Sequence, residues 1–594
     1  MARTLAREWV GANLDFEGGM ERFFLELGRT AIIVLPMRMK MGLLALLATG
    51  SLAMAEEEEK VVVPGVDAVI SELLEGFPAP EAPPVGKGVV MAVTTSDKSV
   101  QEDIQRGLAC VHAGWDLEGY RHFCEALKKD PDCLMAHFGV VVSLMQADLE
   151  MADEKQAAFD RMLALAEEGV GSDLEQRYVF GLVKLLQEGP GEAASAFGST
   201  VEQYPNDPQA VLFKSLLGRG GYDDTGDATP DQLRAEEELL KTVEKNPDVP
   251  YLLYGLLAIR AEAPILKPEL PMARKLVSMA PDFPPYQHLL GHYEWRCGNH
   301  DLAQAAFGRA ADLYAAWMKS IDVPAARCPG WTKAVCYRAV AFSSKGDYKR
   351  ALEIADEVGK IEVTPELAST DGGRLLLWEA KTLTVRILMR RSAAGDLSRA
   401  LKTLPTIEEA AEYGNNSLAV WSYQAYSSAL AGRISLELGN IDDAREVSED
   451  ISKLGGRFVQ TRELAAGAGE RSHWLRSFKA MEVLASELRG LTAMAGPADG
   501  IGSAFNWYQA AADRQKLASL MMPPAILIPM ELRLGEYYMA RRDWTTAIEV
   551  MIAGQHRWPN DWELLHQLQI AFHKAGMKAD AEDVERRLKK LKAD

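Results

Sequence analysis

The chain has 594 residues, 48% of them hydrophobic and 25% charged, with 65 Lys+Arg against 85 Asp+Glu and a net charge of -20. This composition excludes a disordered chain, and the acidic balance argues against broad nucleic-acid binding, which relies on basic surface. No apolar run reaches the roughly 20 residues of a membrane span, and six cysteines are too few for a disulfide framework.

Residues 37–55 read as a secretory signal. Arg38 and Lys40 precede the apolar stretch Met41–Ala48, and small residues follow up to Ala53-Met54-Ala55. The mature chain is then expected to start at Glu56, in a periplasmic or extracellular compartment, with no integral membrane span. Residues 1–36 read as an over-extended N-terminus, with Met37, Met39 or Met41 as alternative starts. Residues 56–100 read as an acidic, proline-rich linker, extended around Gly76–Gly86.

From 101 to 594 the pattern is helical, punctuated every 12–20 residues by Gly, Asn, Asp and Pro. One spacing recurs. Gly107 is followed by Phe123, Ala126 and Pro131, and Gly181 by Ala193, Phe197 and Pro205. Gly291 is followed by Ala303, Phe307 and Ala310, and Gly535 by Ala547 and Pro559. A small residue on each of two antiparallel helices allows close approach, a large residue sixteen positions on fills the space beside them, and proline ends the unit. No pair buries its apolar faces alone, so stacked pairs are needed to make one core. The expected pairs run from 101–130 and 132–169 through 284–320 and 329–359 to 524–558 and 560–592, about twelve in all. Those at 207–247 and 366–517 are the most degenerate. The stretch Gly218–Tyr222 reads as an inter-helix loop, and the last helix, with Arg586, Arg587, Lys589 and Lys590, as a solvated cap.

This spacing resembles the tetratricopeptide repeat (TPR), a helix–turn–helix unit. The resemblance implies an all-α, TPR-like α-solenoid, a right-handed superhelix of antiparallel helix pairs. A narrower likeness is carried by Gly107-Leu108, His112, Glu118, Arg121, Phe123, Ala126 and Asp130–Ala136, by His288–His292, and by Pro523-Pro524, Pro529 and Trp558–Asn560. These are similar to the motifs of an exported bacterial TPR family of unsettled function. Trp115-Asp116 and Leu289–Gly291 depart from its pattern.

In such a superhelix the first helices of each pair line a concave groove. His288, His292 and Trp295 fall about one turn apart on one face of a first helix, and Tyr178, Lys333, Tyr426 and Arg433 fall at groove-facing spacings. Tyrosine, tryptophan and arginine tend to anchor interfaces, so these seven are the candidate partner-binding residues. Histidines at i and i+4 can also converge on a metal ion. His288 and His292 are therefore the candidate metal ligands, with His112, Cys133 or Cys297 as a third. Cys110–Cys124 and Cys328–Cys336 are candidate disulfides, with buried free thiols as the alternative. No His-Glu-x-x-His, P-loop, G-x-S-x-G or Cys-x-x-Cys is present. The sequence thus points to a non-enzymatic scaffold or assembly factor of the cell envelope. It would need no cofactor and would hold protein or peptide segments in its groove. The alternative is an exported protein binding a transition metal through His288 and His292.

Overall fold

The computed structural model describes residues 64–145, 151–223, 226–414, 417–461, 473–497, 500–515 and 519–592. The expected signal at 37–55 and the residues before it lie outside these. Among the described residues no helix is long and apolar enough to cross a membrane, and the only β-pairing is an isolated bridge between Tyr222 and Ala228.

The described residues form successive helix pairs. α1 (Lys98–His112) pairs with α2 (Asp116–Lys129), α3 (Leu134–Ser143) with α4 (Ala152–Glu167), and α5 (Asp173–Glu188) with α6 (Pro190–Gln203). α7 (Pro208–Gly218) and α8 (Pro230–Lys245), α9 (Pro250–Arg260) and α10 (Leu270–Met279), and α11 (Pro284–Arg296) and α12 (His300–Ile321) follow. α13 (Pro329–Lys345) pairs with α14 (Tyr348–Gly359). α15 (Asp371–Leu375) continues through a π turn (Leu376–Ala380) into α16 (Lys381–Arg391), which packs on the short α17 (Asp396–Thr403). After α18 (Ile407–Ala411) come α19 (Leu418–Glu437) with α20 (Ile441–Gln460), and α21 (Trp474–Ala495) with α22 (Gly502–Arg514). α23 (Met530–Ala540) with α24 (Trp544–Arg557), and α25 (Trp562–Ala575) with α26 (Lys578–Lys592), end the array. Nearly every helix packs on the next, with α14 packing past α15 onto α16 and α17 past α18 onto α19, so the architecture is an all-α helical solenoid.

Local chemistry sets the helix starts. Pro208, Pro230, Pro250, Pro284 and Pro329 each open a helix, where a missing N–H costs nothing. Ser172 and Glu175 form a reciprocal capping box at α5. The recurring spacing has a direct physical meaning. A Cβ on Gly107 would stand 2.6 Å from the Phe123 ring, one on Gly181 2.7 Å from Phe197, and one on Gly291 2.6 Å from Phe307. The Phe123 ring also lies against Gly139 of the next first helix. Each aromatic is thus a knob seated on the glycine of its own pair, and Phe123 reaches the next pair as well. α14 buries only one stripe, Ala351, Leu352, Ala355 and Val358. α11 buries residues all round, from Pro284 to Arg296, because two cores meet on it. One core runs from Val69 to Leu289, Tyr293 and Cys328 and takes in Leu520, and the other runs from Trp295 to Leu588.

Both ends of the array fold back onto its interior. The first pair's turn docks on later pairs. Trp115 packs on Phe283 and Tyr314 at 5.6 Å and on Trp317 at 5.4 Å between ring centroids. His112 stacks on Tyr251 at 5.5 Å. At the other end, the turn before α25 docks on two earlier turns. Cβ atoms on Gly298 and Gly346 would meet Pro559 O at 2.9 Å and the Trp562 ring at 2.6 Å. Both glycines have positive φ, at 75° and 88°, so neither position accepts a side chain.

Residues 64–97, expected to be a linker, are packed against the solenoid. Tyr120 Oη accepts from Ser71 N at 2.8 Å and donates to Val69 O at 2.9 Å. Arg121 donates to Pro78 O at 2.7 Å, and Glu175 accepts from Thr94 N at 2.9 Å. Val69, Val89 and Met91 are buried. The segment makes two single 3-10 turns, Val66–Ala68 and Glu72–Leu74, and has no further helix before α1, and its apolar residues find partners on the helix array.

Candidate functional site

The first helices of the second half hold a stretch of the chain itself. Residues 519–529, Ser-Leu-Met-Met-Pro-Pro-Ala-Ile-Leu-Ile-Pro, contain no helix and lie across the first helices α11, α13, α16, α19 and α21. The expected pair 524–558 therefore begins at Met530, because Pro523, Pro524 and Pro529 keep this strap extended.

The strap is held by its carbonyls. His288 Nε2 donates to Leu520 O at 2.8 Å, and the Tyr337 hydroxyl donates to Met522 O at 2.7 Å, with Ser519 O beside it. Arg476 donates to Pro523 O at 2.6 Å, Arg386 to Pro524 O at 3.0 Å, and Tyr426 to Ala525 O at 2.8 Å. Gln515 donates to Ile526 O at 3.2 Å and Ile528 O at 2.7 Å, and Arg390 to Leu527 O at 2.6 Å. Every carbonyl from Met522 to Ile528 thus has a side-chain donor. The guanidiniums are neutralised where they stand. Glu379, on the π turn, pairs with Arg386 and with Arg476 at 2.9 Å, and Asp561 pairs with Arg390 at 2.5 Å. A cavity of about 20 Å³, room for one water, lies beside Ala525, lined by Trp378, Glu379, Tyr426 and Met481 among others.

The seven expected partner-binding residues are placed differently from one another. His288 and Tyr426 are both engaged by the strap, through Leu520 O and Ala525 O. Trp295 donates its indole N–H to Ser344 Oγ at 3.0 Å and packs near Trp558 at 6.4 Å, inside the C-terminal closure. His292 Nε2 donates to Ala261 O at 2.9 Å, on the side of the N-terminal core. Tyr178 donates to Asp207 at 2.6 Å within a cluster of Phe138, Phe197 and Phe213. Arg433 donates to Met389 O at 3.2 Å and Ser392 Oγ at 2.7 Å. All six of these are buried, and Lys333 is half-buried on α13. None of the six presents its polar atom to an incoming partner, because each already satisfies a buried group of this chain.

The metal expectation is corrected by the same geometry. His288 and His292 each give Nε2–H to a backbone carbonyl, so both imidazoles are neutral donors on that side. Burial pushes His288 down to about 4 and His292 well below the ordinary histidine value. The Tyr337 ring contacts both, at 5.5 and 5.8 Å. His112, offered as a third ligand, is held by Gln209 at 3.0 Å. Among the described residues no group of three His, Cys, Asp or Glu side chains is placed to hold a metal ion. The six cysteines are free thiols, five of them buried, so neither Cys110–Cys124 nor Cys328–Cys336 is a disulfide here.

Sequence reasoning missed Tyr337, Arg386, Arg390, Arg476 and Gln515. One signal was available. Arg386 stands inside the largely apolar run Leu383–Met389 and Arg390, at i+4, directly follows it, and charges there must be buried against partners.

No family model matches the chain, and no curated protein matches it. Solved structures do. The human IFIT1 dimer with PPP-AAAA is 14% identical over 78% of this chain and 91% of its own, with a TM-score of 0.33. The TPR domain of P58(IPK) is 12% identical over 81% and 99%, with a TM-score of 0.20. The APC/C hetero-tetramer Cut9–Hcn1 gives 14% identity over 71% and 87%, with a TM-score of 0.23. These superpositions are loose, and the fold rests on this chain's own helix pairing. That pairing is a TPR-like solenoid.

Proposed function

We propose that this chain is a non-enzymatic protein-interaction scaffold, exported to the periplasm or beyond, that binds extended segments of partner polypeptides. The export reading rests on the signal-like residues 37–55, and no cofactor is invoked. One observation carries the binding reading. The first helices from α11 to α21 already hold an extended polypeptide lengthwise, by its backbone, over residues 520–528. A solenoid groove of this kind spreads many modest contacts along a chain, which suits peptide recognition.

The test is cross-linked capture from envelope extract by residues 56–594, with contact positions mapped on both proteins. The reading expects a polypeptide cross-linked at a fixed set of solenoid residues. A folded bait that gives no polypeptide adduct above an unrelated helical-repeat control would refute it.

A further inference from the structure

The strap's own chemistry describes a ligand. Its carbonyls from Met522 to Ile528 are all met by side-chain donors. Those donors do not depend on which side chains the strap carries. Three of its residues, Pro523, Pro524 and Pro529, are prolines, which have no N–H to satisfy, so the groove needs donors rather than acceptors there. From Leu520 to Pro529 the strap has no charged residue. The groove could not take one cheaply: its arginines are already paired with Glu379 and Asp561, and an inserted charge would be buried without a partner. The fit is also incomplete, since the cavity beside Ala525 is space the strap leaves unfilled.

We propose that the strap is a cis occupant of a carbonyl-reading groove, and that the groove's trans ligand is an extended, uncharged, proline-containing apolar segment of a partner polypeptide. This rests on the reading of the chain as a binder of polypeptide segments. A residue larger than alanine opposite Tyr426 favours the trans segment over the strap. The partner must displace the strap, so apparent affinity is reduced by the fraction of molecules whose groove is open.

The test uses residues 56–594 and fluorescein-labelled peptides in anisotropy titrations. The peptides are the strap sequence 519–529, the same with A525V, and a charged control with I526K and L527D. The chain is taken as wild type and as a strap-weakened variant, L527A/I528A, whose fold is checked by circular dichroism and thermal melting. The strap peptide is expected to bind the weakened variant at least tenfold tighter than wild type. The A525V peptide should bind tighter still, and the charged control not at all. Adding Y426F and R390M to the weakened variant should cost at least tenfold. A folded weakened variant that binds no peptide, or binds the charged control equally, overturns the proposal. If L527A/I528A does not fold, the readout moves to wild type. Excess A525V peptide should then speed hydrogen exchange in 519–529, and unchanged exchange at saturating peptide overturns the proposal. Partner cross-links mapped outside the groove, with no peptide binding, would leave the scaffold reading standing and remove this one alone.

Discussion

The two halves of the solenoid both lie against an extended piece of the same chain, and they hold it by different means. In the N-terminal half the segment 64–97 is recognised through both sides of its backbone and through particular side chains. Tyr120 serves one N–H and one C=O, Thr95 Oγ1 donates to Asp130 at 2.8 Å, and Lys87 pairs with Asp248 at 2.9 Å. Gly86, at φ 72°, sits where a Cβ would meet Met279 O at 2.9 Å. In the C-terminal half the backbone of the strap is met from the solenoid by donors to its carbonyls over Met522–Ile528, while Met522, Ile526, Leu527 and Ile528 bury apolar side chains in the core. The first arrangement accepts one sequence. The second makes no polar contact to a strap side chain beyond the need for apolar residues that fill the core, and that difference is why the proposed partner is placed at the second site and not the first.

The comparison breaks first at Asp561. Asp561→Leu leaves Arg390 buried without its carboxylate, which typically costs about 3–5 kcal/mol. Urea unfolding should show that loss, and hydrogen exchange should place the opening in residues 519–592 with α1–α9 unaffected. Equal loosening of both halves would mean that they are one cooperative unit. A pair of phenylalanine variants sharpens the contrast. Tyr120→Phe strands two buried backbone groups, for about 2–4 kcal/mol, whereas Tyr426→Phe strands only Ala525 O, for about 1–2 kcal/mol. Unfolding midpoints that rank them in reverse would contradict the account of how each segment is held.

Gly291 belongs to both halves, and Gly291→Ala drives a Cβ into Phe307, with an expected cost of about 1–3 kcal/mol. Gly191→Ala, whose Cβ would meet nothing within 4 Å, should be neutral or slightly stabilising. The smallest effect is acid sensitivity. His288 in the second half and His112 and His137 in the first are each pushed by burial down to about 4. Their unfolded forms take up a proton near pH 6.5 while the folded forms do not. Stability is therefore full above pH 6.5 and falls as pH drops from 6.5 towards 4. His288→Gln should remove under about 1 kcal/mol of that loss at pH 6, read from urea midpoints at pH 7.5 and 6. An unchanged slope would mean that His288 is not held neutral.

The repeat was legible because its spacing is a steric fact. Gly107 with Phe123, Gly181 with Phe197 and Gly291 with Phe307 are local pairs whose contact follows from helix geometry. The groove occupants were not legible, because they come from far along the chain. His288 meets Leu520 and Tyr426 meets Ala525, and no helical period encodes a contact between a first helix and a distant extended segment. His288 and Tyr426, expected to meet a partner, instead meet carbonyls of this chain's own strap. Tyr178, His292, Trp295 and Arg433 were misplaced for another reason. Polar-tipped side chains in a curled solenoid also seal its turns and inter-pair cores, and their spacing there is the same.

Hydrogen exchange of the wild-type chain, resolved to peptides covering 519–529, tests the central claim most directly. If the strap is buried along its length in the groove, its non-proline amides are shielded from water and exchange measurably more slowly than those of a free peptide of the same sequence. Exchange at the rate of an exposed loop would show that the groove stands open and that the strap is not its occupant.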